Sequence, residues 1–252
     1  PDPGPYRWLP RVALALAIIF LITPRGALAS GEVNLRGAPP AAPQVRVIHA
    51  ADTTVPVDFR FNLDQFVMQD ISFRAVTDYV ELPEGEYGVA VYPAGADPAT
   101  ESAAILGDLA LSAGDVVTLV ALGSDGEGFT LARLQDNLAP AERDQVRVTL
   151  LNGLPDEGPV DLVDPGLALV EDDSRVLIEN AAFGETVETI LLDPDATRVL
   201  DILPAGELDG DPVATYGSLE LESANNYVLI LAPEQLAGNS VDQRVDVWSV
   251  GV

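Results

Sequence analysis

Gln44-Val-Arg-Val-Ile-His-Ala50, followed by Pro56-Val-Asp58, comes back later in the chain as Gln145-Val-Arg-Val148 followed by Pro159-Val-Asp161. The recurrence continues in order. Phe73 is matched by Phe183, Pro93-Ala-Gly95 by Pro204-Ala-Gly206, and Gly107-Asp-Leu-Ala-Leu111 by Gly217-Ser-Leu-Glu-Leu221. Ser112-Ala-Gly114 is matched by Ser223-Ala-Asn225. Ordered matches across a whole domain length signal internal duplication. The predicted organisation is therefore one domain over 44–138, a connector over 139–144 and a second domain over 145–252. The spacing between copies grows along the chain, so the second copy carries small loop insertions. In this pairing His49 falls opposite Leu150.

Each copy reads as short strands. Val45–His49, Val55–Phe61, Ala75–Leu82, Tyr87–Tyr92, Val116–Leu122 and Phe129–Leu134 are rich in β-branched and aromatic residues, and they alternate or run apolar. Turn formers separate them at Pro83-Glu-Gly85, Pro93-Ala-Gly95, Ala113-Gly-Asp115 and Ser124-Asp-Gly-Glu-Gly128. No sustained helical period appears after the first thirty residues. The expected class is all-β, with two tandem antiparallel β-sandwiches of about seven strands each.

The first residues carry an address. Arg7 and Arg11 precede the apolar run Val12–Ile22, then Pro24 and the small-x-small triplet Ala27-Leu28-Ala29. A basic start, a short apolar run and such a triplet make a secretory signal, here a helix over 1–29 cut after Ala29. The run is shorter than the roughly 20 residues a membrane span needs; the alternative is an uncleaved anchor. Residues 30–43 read as a Pro/Gly/Ala linker. The expected location is secreted or extracytoplasmic, at the cell surface or in the periplasm, with no membrane contact after cleavage.

Composition removes several chemistries. The chain holds 40 acids against 13 bases, all of them arginine, for a net charge of −27. Setting aside Asp2 and the arginines at 7, 11 and 25 leaves 39 acids against 10 arginines from Ser30 onward. Such a surface repels phosphate backbones, which excludes nucleic acid as a partner. There is no cysteine, hence no disulfide, thiolate metal site or cysteine nucleophile.

Val45-Arg-Val-Ile-His-Ala50, Pro56-Val-Asp58, Val76-Thr-Asp-Tyr-Val-Glu-Leu-Pro-Glu-Gly-Glu-Tyr87 and the apolar strand at 115–122 together resemble the secreted domains grouped as domain-of-unknown-function 4397. The resemblance covers 44–138 well and 145–252 weakly, since the second copy lacks His-Ala and the Tyr-x-x-Leu-Pro stretch. It implies an extracytoplasmic, immunoglobulin-like sandwich, often in tandem. It brings no activity and no catalytic residues.

His49 is the only histidine. It shares a strand face with Val45 and Val47, and its partner in the repeat is a leucine, so a packing role is expected. No Gly-x-Ser-x-Gly accompanies it, and a zinc site wants several His or Cys ligands. No catalytic and no cofactor-binding residues are assigned. Acidic turns make calcium the one cation to consider, with Asp193, Asp195, Asp209 and Asp211 as candidate ligands; Glu171–Asp173 and Ser124–Glu127 are similar loops. None fits an EF-hand. Trp248 is the sole tryptophan after Ser30, so no aromatic row for a glycan is evident. The expected function is that of a non-enzymatic structural or interaction protein whose partner is a protein or a cell-surface component. The alternatives are a module binding calcium or a glycan and, third, an extracytoplasmic hydrolase built around an accessible His49.

Overall fold

A computed structural model describes residues 41–51, 53, 55–62, 65–124, 128–167, 175–192, 198–219, 221–233 and 245–251. The signal segment 1–29 and most of the linker 30–43 lie outside the described residues. Among the described residues there are strands and turns and no helix.

The first sandwich contains β1 (Gln44–His49), β2 (Val57–Phe61), β3 (Phe66–Ile71), β4 (Val80–Glu81), β5 (Gly85–Pro93), β6 (Ile105–Leu111), β7 (Val116–Ser124) and β8 (Gly128–Gln135). The second contains β9 (Gln145–Asn152), β10 (Val160–Val163), β11 (Val176–Ala181), β12 (Thr186–Leu192), β13 (Arg198–Pro204), β14 (Ala214–Leu219), β15 (Asn226–Pro233) and β16 (Val245–Gly251). The sheets run β4-β1-β7-β8 and β3-β2-β5-β6 in the first half, and β12-β9-β15-β16 and β11-β10-β13-β14 in the second. One strand order thus serves both halves, and the fold is the expected tandem of β-sandwiches. One pairing in each is parallel, β1 with β7 and β9 with β15; the other pairings between strands are antiparallel.

Inward residues alternate along the strands as a half-buried sheet requires. Val45, Val47, Phe59, Phe61, Leu109 and Leu119 lie in one core. Val146, Val148, Leu150, Leu162, Leu200 and Leu229 lie in the other. The opposite faces of β1, β7, β9 and β15 are buried too. Ile48, Val120 and Leu122 from the first half meet Leu151, Val228 and Ile230 from the second in a third apolar layer. This is why Val116–Leu122 and Tyr227–Ala232 read as nearly unbroken apolar runs: strands covered on both faces lose their polar alternation. Gly153 marks how close the halves come, because a Cβ there would strike the Leu231 carbonyl and the Leu122 side chain.

One local departure from the sequence reading has a clear cause. Ala75–Leu82 forms only the two-residue β4 and a single bridge, Ile48 with Val76. From that bridge to the pair Val45–Val80, β1 advances three residues and its partner four, so one extra residue bulges out. The Thr77 hydroxyl fills the gap, accepting from the Val47 N–H at 3.0 Å. Leu82-Pro-Glu-Gly-Glu-Tyr87 then turns into β5, and the buried Tyr87 hydroxyl donates to the Pro83 carbonyl at 2.7 Å.

The duplicated turn before β7 and β15 holds a testable asymmetry. Gly114 has φ 82° and its counterpart Ala224 has φ 62°. The match is set by the bonds from Gln44 N–H to the Asp115 carbonyl and from Arg147 N–H to the Asn225 carbonyl. An L-residue with a Cβ is strained in the left-handed region, whereas glycine is not. Ala224→Gly is therefore expected to stabilise the protein by about 0.5–1 kcal/mol, read as a higher urea midpoint at unchanged slope.

Candidate functional site

The buried polar residues are where chemistry would lie; apart from Asp164, whose Oδ1 accepts from the Gly166 N–H at 2.9 Å, they fall into three groups. The first is His49. Its side chain is fully buried, with the Phe73 ring 6.0 Å away at an edge-on 86°. The hydrogen bonds revise its partner in the repeat. The His49 carbonyl accepts from Arg74 N–H at 2.8 Å, and the Asn152 carbonyl accepts from Gly184 N–H at 2.7 Å in the matching turn. In the parallel ladders His49 faces Ala121, and Asn152 faces Leu231. His49 corresponds to Asn152, two residues beyond the Leu150 expected from the Gln-Val-Arg-Val match.

The position is therefore polar in both halves, and in the second half it holds a loop. Asn152 Nδ2 donates to the carbonyls of Gly158 and Ala181, both at 3.0 Å, while its Oδ1 accepts from Leu154 N–H at 3.0 Å. His49 stands in the same place. Burial lowers its pKa from 6.5 to about 4, with the Val55 backbone acting weakly the other way. Val55 is the residue before Pro56, as Gly158 is the residue before Pro159, so the two side chains sit beside the same stretch; Asn152 ties it down by hydrogen bonds, whereas neither ring nitrogen of His49 has a hydrogen-bond partner among the described residues. A hydrolase needs His49 open to substrate with polar groups converging on it; instead its ring is sealed in the core.

The sign of the resulting pH dependence follows from linkage. The folded form holds fewer protons on His49 than the unfolded form between about pH 4 and pH 6.5, so stability falls as pH drops through that window. The loss expected from His49 is about 3 kcal/mol. His49→Asn, which copies the second half, is expected to remove this contribution. Urea melts of both proteins at pH 7.5 and 4.0 would check it, and equal acid losses would contradict it.

The second group explains the repeated Pro-Val-Asp and Pro-Ala-Gly motifs. Asp58 Oδ1 accepts from Asp70 N–H at 2.9 Å and its Oδ2 from Gly95 N–H at 3.3 Å. Asp161 does the same with Asn180 N–H at 2.7 Å and Gly206 N–H at 2.8 Å. Asp70 and Asn180 have φ 58° and 55° where the β2–β3 and β10–β11 registers shift. Gly95 and Gly206 have φ 79° and 81°. One buried carboxylate thus ties a bulge to a turn in each sandwich. A surface depression of about 370 Å³ lies over Asp161, but both oxygens of that carboxylate are already engaged.

The third group fastens the connector. Asp136 Oδ2 accepts from the hydroxyls of Thr118 and Tyr79, the latter at 2.8 Å. Arg46 Nε donates to Thr118 Oγ1 at 2.7 Å, stands 4.0 Å from Asp136, and its guanidinium lies 4.7 Å from the Tyr79 ring centre. Burial raises the Asp136 pKa, opposed by the two hydroxyls and Arg46. Burial and then the Asp136 charge raise that of Tyr79. A few residues on, Asn226 Nδ2 donates to the carbonyls of Asn137 and Ala139, and Arg147 Nη1 donates to Ala139 O at 3.1 Å. The cavity beside these groups, about 50 Å³, has room for water and little else.

Of the calcium candidates, Asp209 and Asp211 are exposed in the turn between β13 and β14. Asp193 and Asp195 lie outside the described residues, as do Glu171–Asp173 and most of Ser124–Glu127. Among the described residues no three His, Asp or Glu side chains group so as to hold a metal ion. Trp248 lies on β16, whose side chains are outside the described set.

A feature missed by the sequence reading is an apolar pocket of about 310 Å³ at one end of the first sandwich. Its walls are Ala51, Val57, Val91, Ile105, Ala121 and Phe129, so it opens between the two sheets where β1, β5 and β7 end and β2, β6 and β8 begin. His49 is not part of its lining.

Comparison with known proteins gives one family and distant structural likenesses. Residues 43–163 match the model of a family described as Domain of unknown function (DUF4397). The match covers the first sandwich and runs through β9 and β10 of the second. No curated protein matches significantly. Among solved structures, family 41 carbohydrate-binding modules from streptococcal virulence factors, described for alpha-glucan recognition, align at 12% identity over 75% of this chain and 93% of theirs, with a TM-score of 0.24. The fimbrial anchor protein of Porphyromonas gingivalis aligns at 11% identity over 83% of this chain and 98% of its own, with a TM-score of 0.26. At such scores, function has to be argued from this chain's own residues.

Proposed function

We propose that this chain, which belongs to the DUF4397 family through residues 43–163, is a non-enzymatic structural and interaction module working outside the cytoplasm. The observation that carries this reading is the use made of its buried polar side chains. Asn152 holds a loop, with His49 buried at the matching position, Asp58 and Asp161 join bulge to turn, and Arg46, Thr118, Asp136 and Asn226 fasten the connector. These groups serve the scaffold, which leaves exposed sheet faces and an acidic surface for contact with a partner.

The signal-like start supports an extracytoplasmic location. The absence of cysteine is compatible with it, because two cores and a third apolar layer stand in for disulfides. The partner class that fits is a protein or cell-surface component. Nucleic acid is disfavoured by a net charge of −27.

The test is protease shaving of intact cells together with fractionation, followed by co-sedimentation of the purified protein with isolated envelopes. The expected result is a surface, periplasmic or secreted protein that sediments with envelopes saturably when folded and not after heat denaturation. A cytoplasmic pool, or catalytic turnover abolished by a single substitution, would overturn the proposal.

A further inference from the structure

We infer that the first sandwich is a receptor for a small, uncharged, apolar molecule, such as a short alkyl chain or a one- or two-ring aromatic, held in the pocket between its sheets. This stands independently of the envelope role. The pocket has the size of a small-ligand site, about 310 Å³ against the several hundred that such sites occupy. Among the described residues its lining contains no ionisable side chain, and Thr53 is the one polar side chain. A charged ligand would go unpaired there, whereas an apolar one would replace water that a dry wall cannot satisfy.

The second sandwich serves as an internal control. Ala50 N–H donates to the Ala121 carbonyl at 2.9 Å, and Gly153 N–H donates to the Leu231 carbonyl at 3.0 Å. Ala121 therefore corresponds to Leu231, and Ala51 to Leu154. Both leucines are buried in the second core, at 0% and 3% exposure. The same scaffold closes this space with two leucines in one half and leaves it open with two alanines in the other. Val57, Val91 and Ile105 keep the walls apolar and buried, while Val55, Pro93 and Ala104 are exposed at the rim. An apolar wall with an open mouth is a binding feature more than a packing one, because interiors otherwise fill to crystal-like density.

The experiment titrates the full chain with N-phenyl-1-naphthylamine, a neutral apolar fluorophore, and follows methyl signals by NMR. Saturable one-to-one binding is expected, with shifts concentrated on Val57, Val91 and Ile105. The anionic 1-anilinonaphthalene-8-sulfonate should bind at least about tenfold more weakly. Ala51→Leu and Ala121→Leu, made separately, should each weaken the neutral dye at least about tenfold while keeping or raising Tm. Absence of saturable binding, shifts centred elsewhere, or undiminished binding by a folded leucine variant would overturn the inference. The wild-type shifts decide the matter even if neither variant folds.

Discussion

Asp161→Ala is expected to cost about 3–5 kcal/mol, enough to bring the second sandwich close to unfolding. The carboxylate is 5% exposed and accepts two backbone N–H groups, from Asn180 and Gly206. A hydrogen bond to a charged acceptor contributes about 1.5–3 kcal/mol, and a buried donor left without its acceptor adds its desolvation. Both donors lie on backbone that has left the regular ladder, so neither has a sheet partner waiting. Asp161→Asn should recover about half the loss, since one oxygen still accepts while the amide nitrogen faces a second donor. Asp58→Ala should act alike in the first sandwich, with Arg60, 3.6 Å from that carboxylate, losing a neighbour as well. Urea unfolding with matched slopes is the measurement. A loss under about 1 kcal/mol for Asp161→Ala would mean that solvent replaces the carboxylate and that the tie between bulge and turn is dispensable.

These carboxylates mark how far the sequence could be read. Pro-Val-Asp and Pro-Ala-Gly were visible as repeated words, and the turn chemistry of Pro-Ala-Gly was plain. That the aspartate of one word holds the glycine of the other, 37 residues away in the first copy, was not visible, because nothing local reports a contact between distant segments. The pairing of copies through Gln-Val-Arg-Val failed for a different reason. Sliding a strand by two residues leaves its inward and outward faces unchanged, so apolar alternation accepts Leu150 or Asn152 opposite His49 equally well. Only the ladders to β7 and β15 and the turns at Phe73 and Phe183 choose between them. His49 stays in the core, but the reason changes: its position is buried and polar in both halves, and only Asn152 uses it to hold a loop. The pocket was hidden by the same slip, since Ala51 and Ala121 line up with Leu154 and Leu231 only after the register is corrected. The third apolar layer, by contrast, was latent in the unbroken apolar runs of β7 and β15.

Ile230→Asp tests that layer. Ile230 is fully buried in it, among side chains from both halves. Ile230→Ala, which removes packing alone, should cost about 2–4 kcal/mol. A carboxylate at the same place must be ionised without a partner, be protonated, or drive the two sandwiches apart, and each route costs several kcal/mol. The expected loss is at least about 4 kcal/mol, a large part of the 5–15 kcal/mol that holds a typical domain. The form of the transition is as informative as its midpoint. With the layer intact and the connector fastened through Asp136, Asn137 and Ala139, the two sandwiches should unfold together in one cooperative step. With Ile230→Asp that step should split into two, each with a smaller denaturant slope, because each exposes less surface. Melts followed at once by far-ultraviolet dichroism and by tyrosine fluorescence would resolve the split. A wild-type protein that already melts in two steps, or an Ile230→Asp variant within about 1 kcal/mol of it, would show that the halves move independently in solution. A single wild-type step that the aspartate divides would place the coupling in this layer, since the variant leaves every other residue of the two sandwiches, including the buried aspartates and the connector's hydrogen-bonding groups, unaltered in sequence.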